Sequence, residues 1–483
     1  MFRSVPRSVR RGVPLAVLAL ALGCAVNPAT GRRELSFVSE AQEIQMGQEA
    51  DAQIVASLGL YPDSAVQRYV RDLGLSMAQD SERPNLPWTF RVVDDPVVNA
   101  FALPGGFVYI TRGILTHLTS EAELMGVLGH EIGHVTAKHS VNQISRQQLY
   151  TLGLGVGMIF SETVRAFGDV AMQSLQLLFL KYGRDDESEA DRLGFRYMTD
   201  RGYDPREMSR VFEMLNQVSA QSGQRIPEWL STHPDPGRRA QTILAMADQS
   251  GQSYQGATVN RPQFLRRLDT MVFGPNPREG YFENADFFHP DLQFGVTFPS
   301  GWQTVNQKQA VQGVSPEQDA AAMLTLAEGT TSARTARDAF LGGEGIQEVA
   351  RTEQRVGGLP ASWAEFTAQT EDGTALHGLT AFVEHRGAVF RLLGYTTQAQ
   401  WNARSQAIQG FARSFRAVND PAVLGKQPDR IEVVQIPSAM SVSEFITRYP
   451  STVPEPTVTL INQFFATTNL GRGELAKRVA GPR

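Results

Sequence analysis

Residues 130–134 read His-Glu-Ile-Gly-His, inside an apolar run from Leu124 to Val135. Two imidazoles and a carboxylate in such a run are buried on folding, and buried polar groups need partners. The segment from Ser120 to His139 has helical periodicity, with Leu124, Val127, Leu128, Ile132 and Val135 available for one buried side. Residues four apart stack on one face of a helix. His130 and His134 therefore present two imidazoles to one metal ion, each at about 2.0–2.1 Å if it is zinc. Glu131 is then placed as the general base for an attacking water.

The third ligand comes from elsewhere. A further histidine six residues past His134 would mark the metzincin layout, but Ala137 and Ser140 stand where its glycine and histidine belong. Downstream lies Glu187-Ser188-Glu189-Ala190-Asp191, behind the capping candidates Asp185 and Asp186. Glu187, Asp191, Gly194 and Met198 share a helix face, whereas Glu189 and Arg192 fall largely off it. Glu187 is the candidate ligand, and Asp191 the acceptor that orients a ligating histidine from behind. Two His and one Glu leave a fourth position open, the pattern of catalytic rather than structural zinc. The same donors bind several divalent ions. His139 reads as a packing or helix-terminus residue, and His117, His289, His377 and His385 have no identifiable partners in the sequence.

The rest of the chain is organised around this block. Its 483 residues suggest two to four domains. A net charge of −5 carries no electrostatic footprint of a nucleic-acid binder, so no nucleic-acid partner is expected. A single cysteine excludes an intramolecular disulfide framework. Residues 1–23 hold Arg3, Arg7, Arg10 and Arg11, then an apolar run from Val13 to Leu22, and read as a secretory signal peptide. Ala21-Leu22-Gly23-Cys24 resembles a bacterial lipobox, which would make Cys24 a lipidated first residue. Ordinary signal cleavage is the alternative. Capping patterns start helices at Ser39 with Gln42, at Ser120 with Glu123 and at Asp204-Pro205 with Glu207. Gly105-Gly106 leads into a β-rich run, Phe107–Thr111. The apolar stretch from Leu149 to Phe160 is too short to span a membrane and reads as a buried or interfacial helix.

The boundaries drawn from these signals are 24–270 for the metal-bearing domain, 271–285 for a Pro/Gly-rich linker, 286–420 for a second domain and 428–480 for a small module. Residues 286–420, with short β-type runs, Pro299-Ser300-Gly301-Trp302 and a closing helix at 411–416, resemble PsbP-like α/β sandwich domains. Trp302, Trp363 and Trp401 are expected to anchor its core. Residues 428–480 resemble a degenerate LysM-type module.

Four motifs in one order carry a stronger resemblance. Asn99-Ala100-Phe101-Ala102-Leu103-Pro104-Gly105-Gly106, the HEIGH segment, Glu187–Asp191 and Ser231-Thr232-His233-Pro234 with Arg239 look like the HtpX/CAAX-prenyl-protease family of zinc metallopeptidases, over roughly residues 36–250. Residues 27–35, N-P-A-T-G-R-R-E-L, look like the N-termini of its periplasmic lipoprotein members. The resemblance implies an α+β multidomain chain: a mainly helical zincin domain of gluzincin type with a small β-sheet, then the sandwich domain and the C-terminal module. It implies one zinc ion held by His130, His134 and Glu187, with Glu131 as general base. The strand after Gly106 would take substrate as an added β-strand, and Asn99 would bind the substrate backbone. His233 and Arg239 would stabilise the oxyanion of the tetrahedral intermediate; alternatively, His233 fills the fourth zinc position and holds the enzyme latent.

Two functions follow. The favoured one is a zinc endopeptidase of the cell envelope that degrades misfolded or unassembled polypeptides, exported to the periplasm and held at the outer membrane by lipid on Cys24. The alternative is a binding protein or holdase that keeps the metal fold and works through its C-terminal blocks, with possible peptidoglycan contact through residues 428–480.

Overall fold

The computed structural model describes residues 24–145, 182–221, 232–370, 373–465 and 467–482. The expected signal peptide and the apolar stretch at 149–160 lie outside the described residues. Among the described residues, no helix is long and apolar enough to cross a membrane. The chain is α+β, with several sheets and more than one core.

The first domain opens with a small antiparallel pair, β1 (Cys24–Val26) and β2 (Arg33–Leu35). The helix Glu40–Leu58 follows, started by the Ser39/Gln42 capping box that its sequence signals. A three-stranded sheet comes next: β3 (Thr89–Val93), β4 (Ala100–Leu103) and β5 (Phe107–Thr111), in the order β3-β5-β4. Pro104-Gly105-Gly106 closes the β4–β5 hairpin with Gly105 at φ +82° and Gly106 at φ +97°, conformations that favour glycine. This order corrects one expectation. β5, the strand after Gly106, pairs with β3 on one side and β4 on the other, so it has no free edge for an added strand. The outer strand on that side is β4.

The helix bearing the HEIGH segment spans Glu121–Thr136 and is buried along its whole length. Ser120 Oγ accepts from Glu123 N, while the Glu123 carboxylate accepts from Thr119 N and Oγ1. The helix stops short of His139, the end its periodicity suggested, because Lys138 adopts the left-handed conformation at φ +58° and breaks the i→i−4 ladder. Against it packs the helix Arg184–Asp200 at glycine contacts. A Cβ on Gly133 would sit 3.0 Å from Ala190 Cα, and one on Gly194 3.0 Å from His130 N. The glycine inside the HEIGH segment thus lets the two helices approach closely enough for a carboxylate on one to meet imidazoles on the other.

The core beneath these helices, which includes Leu128, Ile132, Tyr197 and Phe212, continues into the C-terminal residues Ile431, Leu460, Ile461 and Val479. Strands Arg430–Gln435 and Leu475–Ala480 pair antiparallel. Within 271–285, Met271 and Phe273 bond through their backbones to Ile431 and Asp429. The C-terminal module is therefore packed into the first domain's core. Between them lies the second domain, a seven-stranded antiparallel sheet and a four-stranded one around the Phe298–Phe411–Phe415 core. Trp363 is buried there, Trp302 packs on its margin, and Trp401 stacks on His377 at 3.9 Å. His377 also pairs with Glu365, and His385 faces the carbonyls of Leu292 and Gln293.

Candidate metal centre

The Glu121–Thr136 helix supplies His130, Glu131 and His134, and the Arg184–Asp200 helix supplies Glu187 and Asp191. His233 lies just before the helix Pro236–Gln249, which carries Arg239. His130, His134, Glu187 and His233 each offer a ligand atom, and these atoms lie within 4.8 Å of one another. His134 Nε2 is 3.0 Å from His130 Nε2 and 3.3 Å from Glu187 Oε1. His233 Nδ1 is 2.9 Å from Glu187 Oε1 and 3.3 Å from His130 Nε2. All four are buried.

This set fits a metal ion on its own chemistry. Three imidazole nitrogens and a carboxylate converge in a buried cluster, an arrangement that a divalent cation satisfies better than protein groups alone. Glu131 makes the same point: it is buried, and neither carboxylate oxygen has a hydrogen-bond partner among the described residues. Burial pushes the Glu131 carboxyl above its ordinary value. Burial likewise holds His134 well below the usual imidazole range, which keeps it neutral and able to ligate.

Behind the ligands stands a charged layer. Asp191 Oδ1 is 3.0 Å from His130 Nδ1, so the ring can donate there while Nε2 faces the ligand cluster. Arg239 binds Asp191 through Nε at 2.8 Å and Nη2 at 2.6 Å, and reaches Glu187 Oε2 through Nη1 at 2.6 Å. Its guanidinium also lies over the Phe212 ring at 4.1 Å. Although burial opposes it, His233 and Arg239 hold the Glu187 carboxyl well below its ordinary value. Tyr182 stacks on His134 at 4.0 Å and bonds Ser140 through its hydroxyl.

The structure thus brings together His130, Glu131, His134, Glu187, Asp191, His233 and Arg239. Asn99, just before β4, makes none of these contacts: its backbone N–H donates to Thr111 Oγ1 at the end of β5, and its buried Oδ1 has no hydrogen-bond partner among the described residues. Two residues escaped the sequence reading. His139 lies 2.9 Å from His134 through their Nδ1 atoms, and Glu189 is buried beside it. The one available signal for His139 was its closeness to the motif, which a regular helix extension placed on the wrong face. A cavity of about 630 Å³ lies mainly in the second domain, with Phe294, Val311 and Arg391 in its wall and none of these metal-site residues.

Comparison with known proteins agrees with this geometry. Residues 64–247 match the model of Peptidase family M48. Mitochondrial metalloendopeptidase OMA1 of Arabidopsis thaliana is 32% identical over 186 residues, 38% of this chain and 37% of that protein. Beta-barrel assembly-enhancing protease of Escherichia coli is 29% identical over 230 residues, 46% of this chain and 47% of that protein. The chain therefore spans less than half the length of either relative. The solution structure of cyanobacterial PsbP from Synechocystis matches 27% of this chain at 18% identity and a TM-score of 0.23, a likeness too slight to bear on function.

Proposed function

The chain carries a domain of peptidase family M48, and on that premise we propose that it is a zinc-dependent endopeptidase of the bacterial envelope, acting on misfolded or unassembled proteins. One observation carries the reading. The convergent His130, His134 and Glu187 stand beside Glu131, a buried carboxylate with no hydrogen-bond partner among the described residues. When bound, zinc supplies Lewis-acid activation of water and of the scissile carbonyl. Glu131, on the same helix as two of the ligands, takes the proton of the attacking water and passes it to the leaving amine. Two ligands from one helix and a Glu from a second give the gluzincin-type arrangement.

His233 is proposed as a latency plug. Its Nδ1 lies among the ligand atoms, which supports its filling the fourth position that a catalytic site keeps open. Moved aside, it is available to the developing oxyanion. Arg239 is committed to Glu187 and Asp191, which supports a positioning role over direct oxyanion contact. β4 is the strand proposed to receive an extended substrate, with Asn99 at its start to bind the substrate backbone.

The arginine-rich start, the apolar run and Cys24 support export to the periplasm and lipid attachment to the outer membrane. The Escherichia coli relative is by name a β-barrel assembly-enhancing protease, which supports an envelope setting. Peptidoglycan contact through residues 428–480 belongs to the same proposal, through the surface of the module that faces away from the first domain.

Cleavage of casein by the zinc-loaded wild type and by His233→Ala tests both parts. Faster cleavage by His233→Ala supports the plug, much slower cleavage assigns His233 to catalysis, and no cleavage by either contradicts the peptidase reading.

A further inference from the structure

We infer that His139 is a positioning residue for the metal site: it accepts the Nδ1 proton of His134 and so fixes which nitrogen of that ligand faces the metal. The inference rests on the zinc reading above. His134 turns Nε2 toward His130 and Glu187, at 3.0 and 3.3 Å. Its Nδ1, on the other side of the ring, is 2.9 Å from His139 Nδ1. Two ring nitrogens at that distance share one proton, one donating and the other accepting. A histidine that ligates through Nε2 carries its proton on Nδ1, so His134 donates and His139 accepts. His139 then keeps its own proton on Nε2, which faces Glu189 Oε2 at 3.6 Å and Asp186 Oδ1 at 3.9 Å. His130 has Asp191 behind it; His134 has a second histidine backed by carboxylates.

The fold is bent to make this contact. The left-handed turn at Lys138 sends the chain back toward the site at the residue where His139 must meet His134. His139 is 3% exposed, and Tyr182 lies against the same His134 ring at 4.0 Å, leaving it little freedom to rotate. Glu189 is tied from outside by Asn27, whose Nδ2 is 3.5 Å from Glu189 Oε1 and donates to Glu34 Oε1 at 3.0 Å. A chain of side chains, Asn27–Glu189–His139–His134, joins the β1–β2 hairpin to a metal ligand.

The test is the zinc dissociation constant of the full chain, measured by competition with a fluorescent chelator. The proteins compared are the wild type, His139→Leu, His139→Asn and Glu187→Ala. Loss of a group that orients a metal-ligating histidine weakens metal binding by about 10–100-fold, and that is the effect expected of His139→Leu. His139→Asn puts an amide oxygen where Nδ1 stood and is expected to bind zinc nearly as the wild type does. Melting of the zinc-free protein separates this role from simple packing: a positioning residue shrinks the rise in Tm on adding zinc more than it lowers the zinc-free Tm. A folded His139→Leu that binds zinc like the wild type, beside a weakened Glu187→Ala, overturns the inference. Should His139→Leu not fold, Glu189→Ala tests the same link, and unchanged zinc affinity there overturns it. A wild type that binds no zinc overturns instead the reading of the site on which the inference stands.

Discussion

The Lys477 side chain is fully buried, and its Nζ donates to the carbonyl of Leu118 at 2.6 Å and to the carbonyl of Thr116 at 2.8 Å. Those carbonyls lie at the C-terminal end of the helix Arg112–His117, shortly before the Glu121–Thr136 helix. Gln463 reaches the same place, donating to Glu123 Oε2 at 2.9 Å. The C-terminal module therefore braces the entrance of the helix that carries the metal ligands.

The first prediction concerns cooperativity. Ile461 is buried in the same core as Leu128 and Ile132, so Ile461→Ala should cost about 2–5 kcal/mol, as deletion of a buried aliphatic side chain does. The loss should appear in the same urea transition as that of Leu128→Ala, followed by tryptophan fluorescence and circular dichroism. A separate transition for the module would contradict the shared core.

The helix–helix contact gives the second. A side chain at residue 133 meets the Ala190 backbone at 3.0 Å already with its Cβ. Gly133→Val adds two further carbons there, and should drive the two helices apart and abolish stoichiometric zinc binding in a chelator titration. Gly202→Ala, at a turn where a Cβ meets nothing within 4 Å, should leave zinc binding intact despite some backbone strain. Equal zinc binding by Gly133→Val and wild type would show that the close approach does not set the site.

The third is a pH dependence away from the metal. His117 is buried, with Nδ1 2.8 Å from the Gly113 carbonyl, and burial pushes its imidazole from 6.5 down to about 4. Between those values the unfolded chain binds a proton that the folded chain refuses, so stability rises with pH across the window and is lost as pH falls through it. The difference corresponds to about 3 kcal/mol at pH 4. His117→Gln cannot take up that proton, so its urea midpoint should fall less than that of wild type between pH 6.5 and pH 4. Parallel curves would contradict a neutral buried His117.

What the sequence made legible follows from the range of the interactions. His130, Glu131 and His134 declared themselves because four-residue spacing is local helix geometry, and Glu187 with Asp191 for the same reason. The glycine pair at 105–106 signalled its hairpin through backbone conformation alone. By contrast, nothing in the residues from Thr136 to Ser140 announces a left-handed Lys138, so the helix was extended to His139 and its contact with His134 was missed. Helix periodicity puts Glu189 off the ligand face, and its partners Asn27 and His139 come from other segments that this periodicity does not describe. Strand order depends on pairing between segments, so nothing in the Phe107–Thr111 run itself says that β5 lies between β3 and β4. The docking of residues 428–480 rests on contacts far apart in the chain, such as Ile431 to Met271 and Lys477 to Leu118, and no periodicity encodes those.

The most direct test of the account is casein cleavage by the zinc-loaded His233→Ala protein, with and without a second change, Glu131→Gln. The account predicts that His233→Ala cleaves and that adding Glu131→Gln lowers the rate by about 10²–10⁴-fold, the usual worth of a general base, with zinc affinity unchanged. Equal rates for the two proteins, at equal zinc content, would contradict the assignment of Glu131 and with it the metallopeptidase reading of the site.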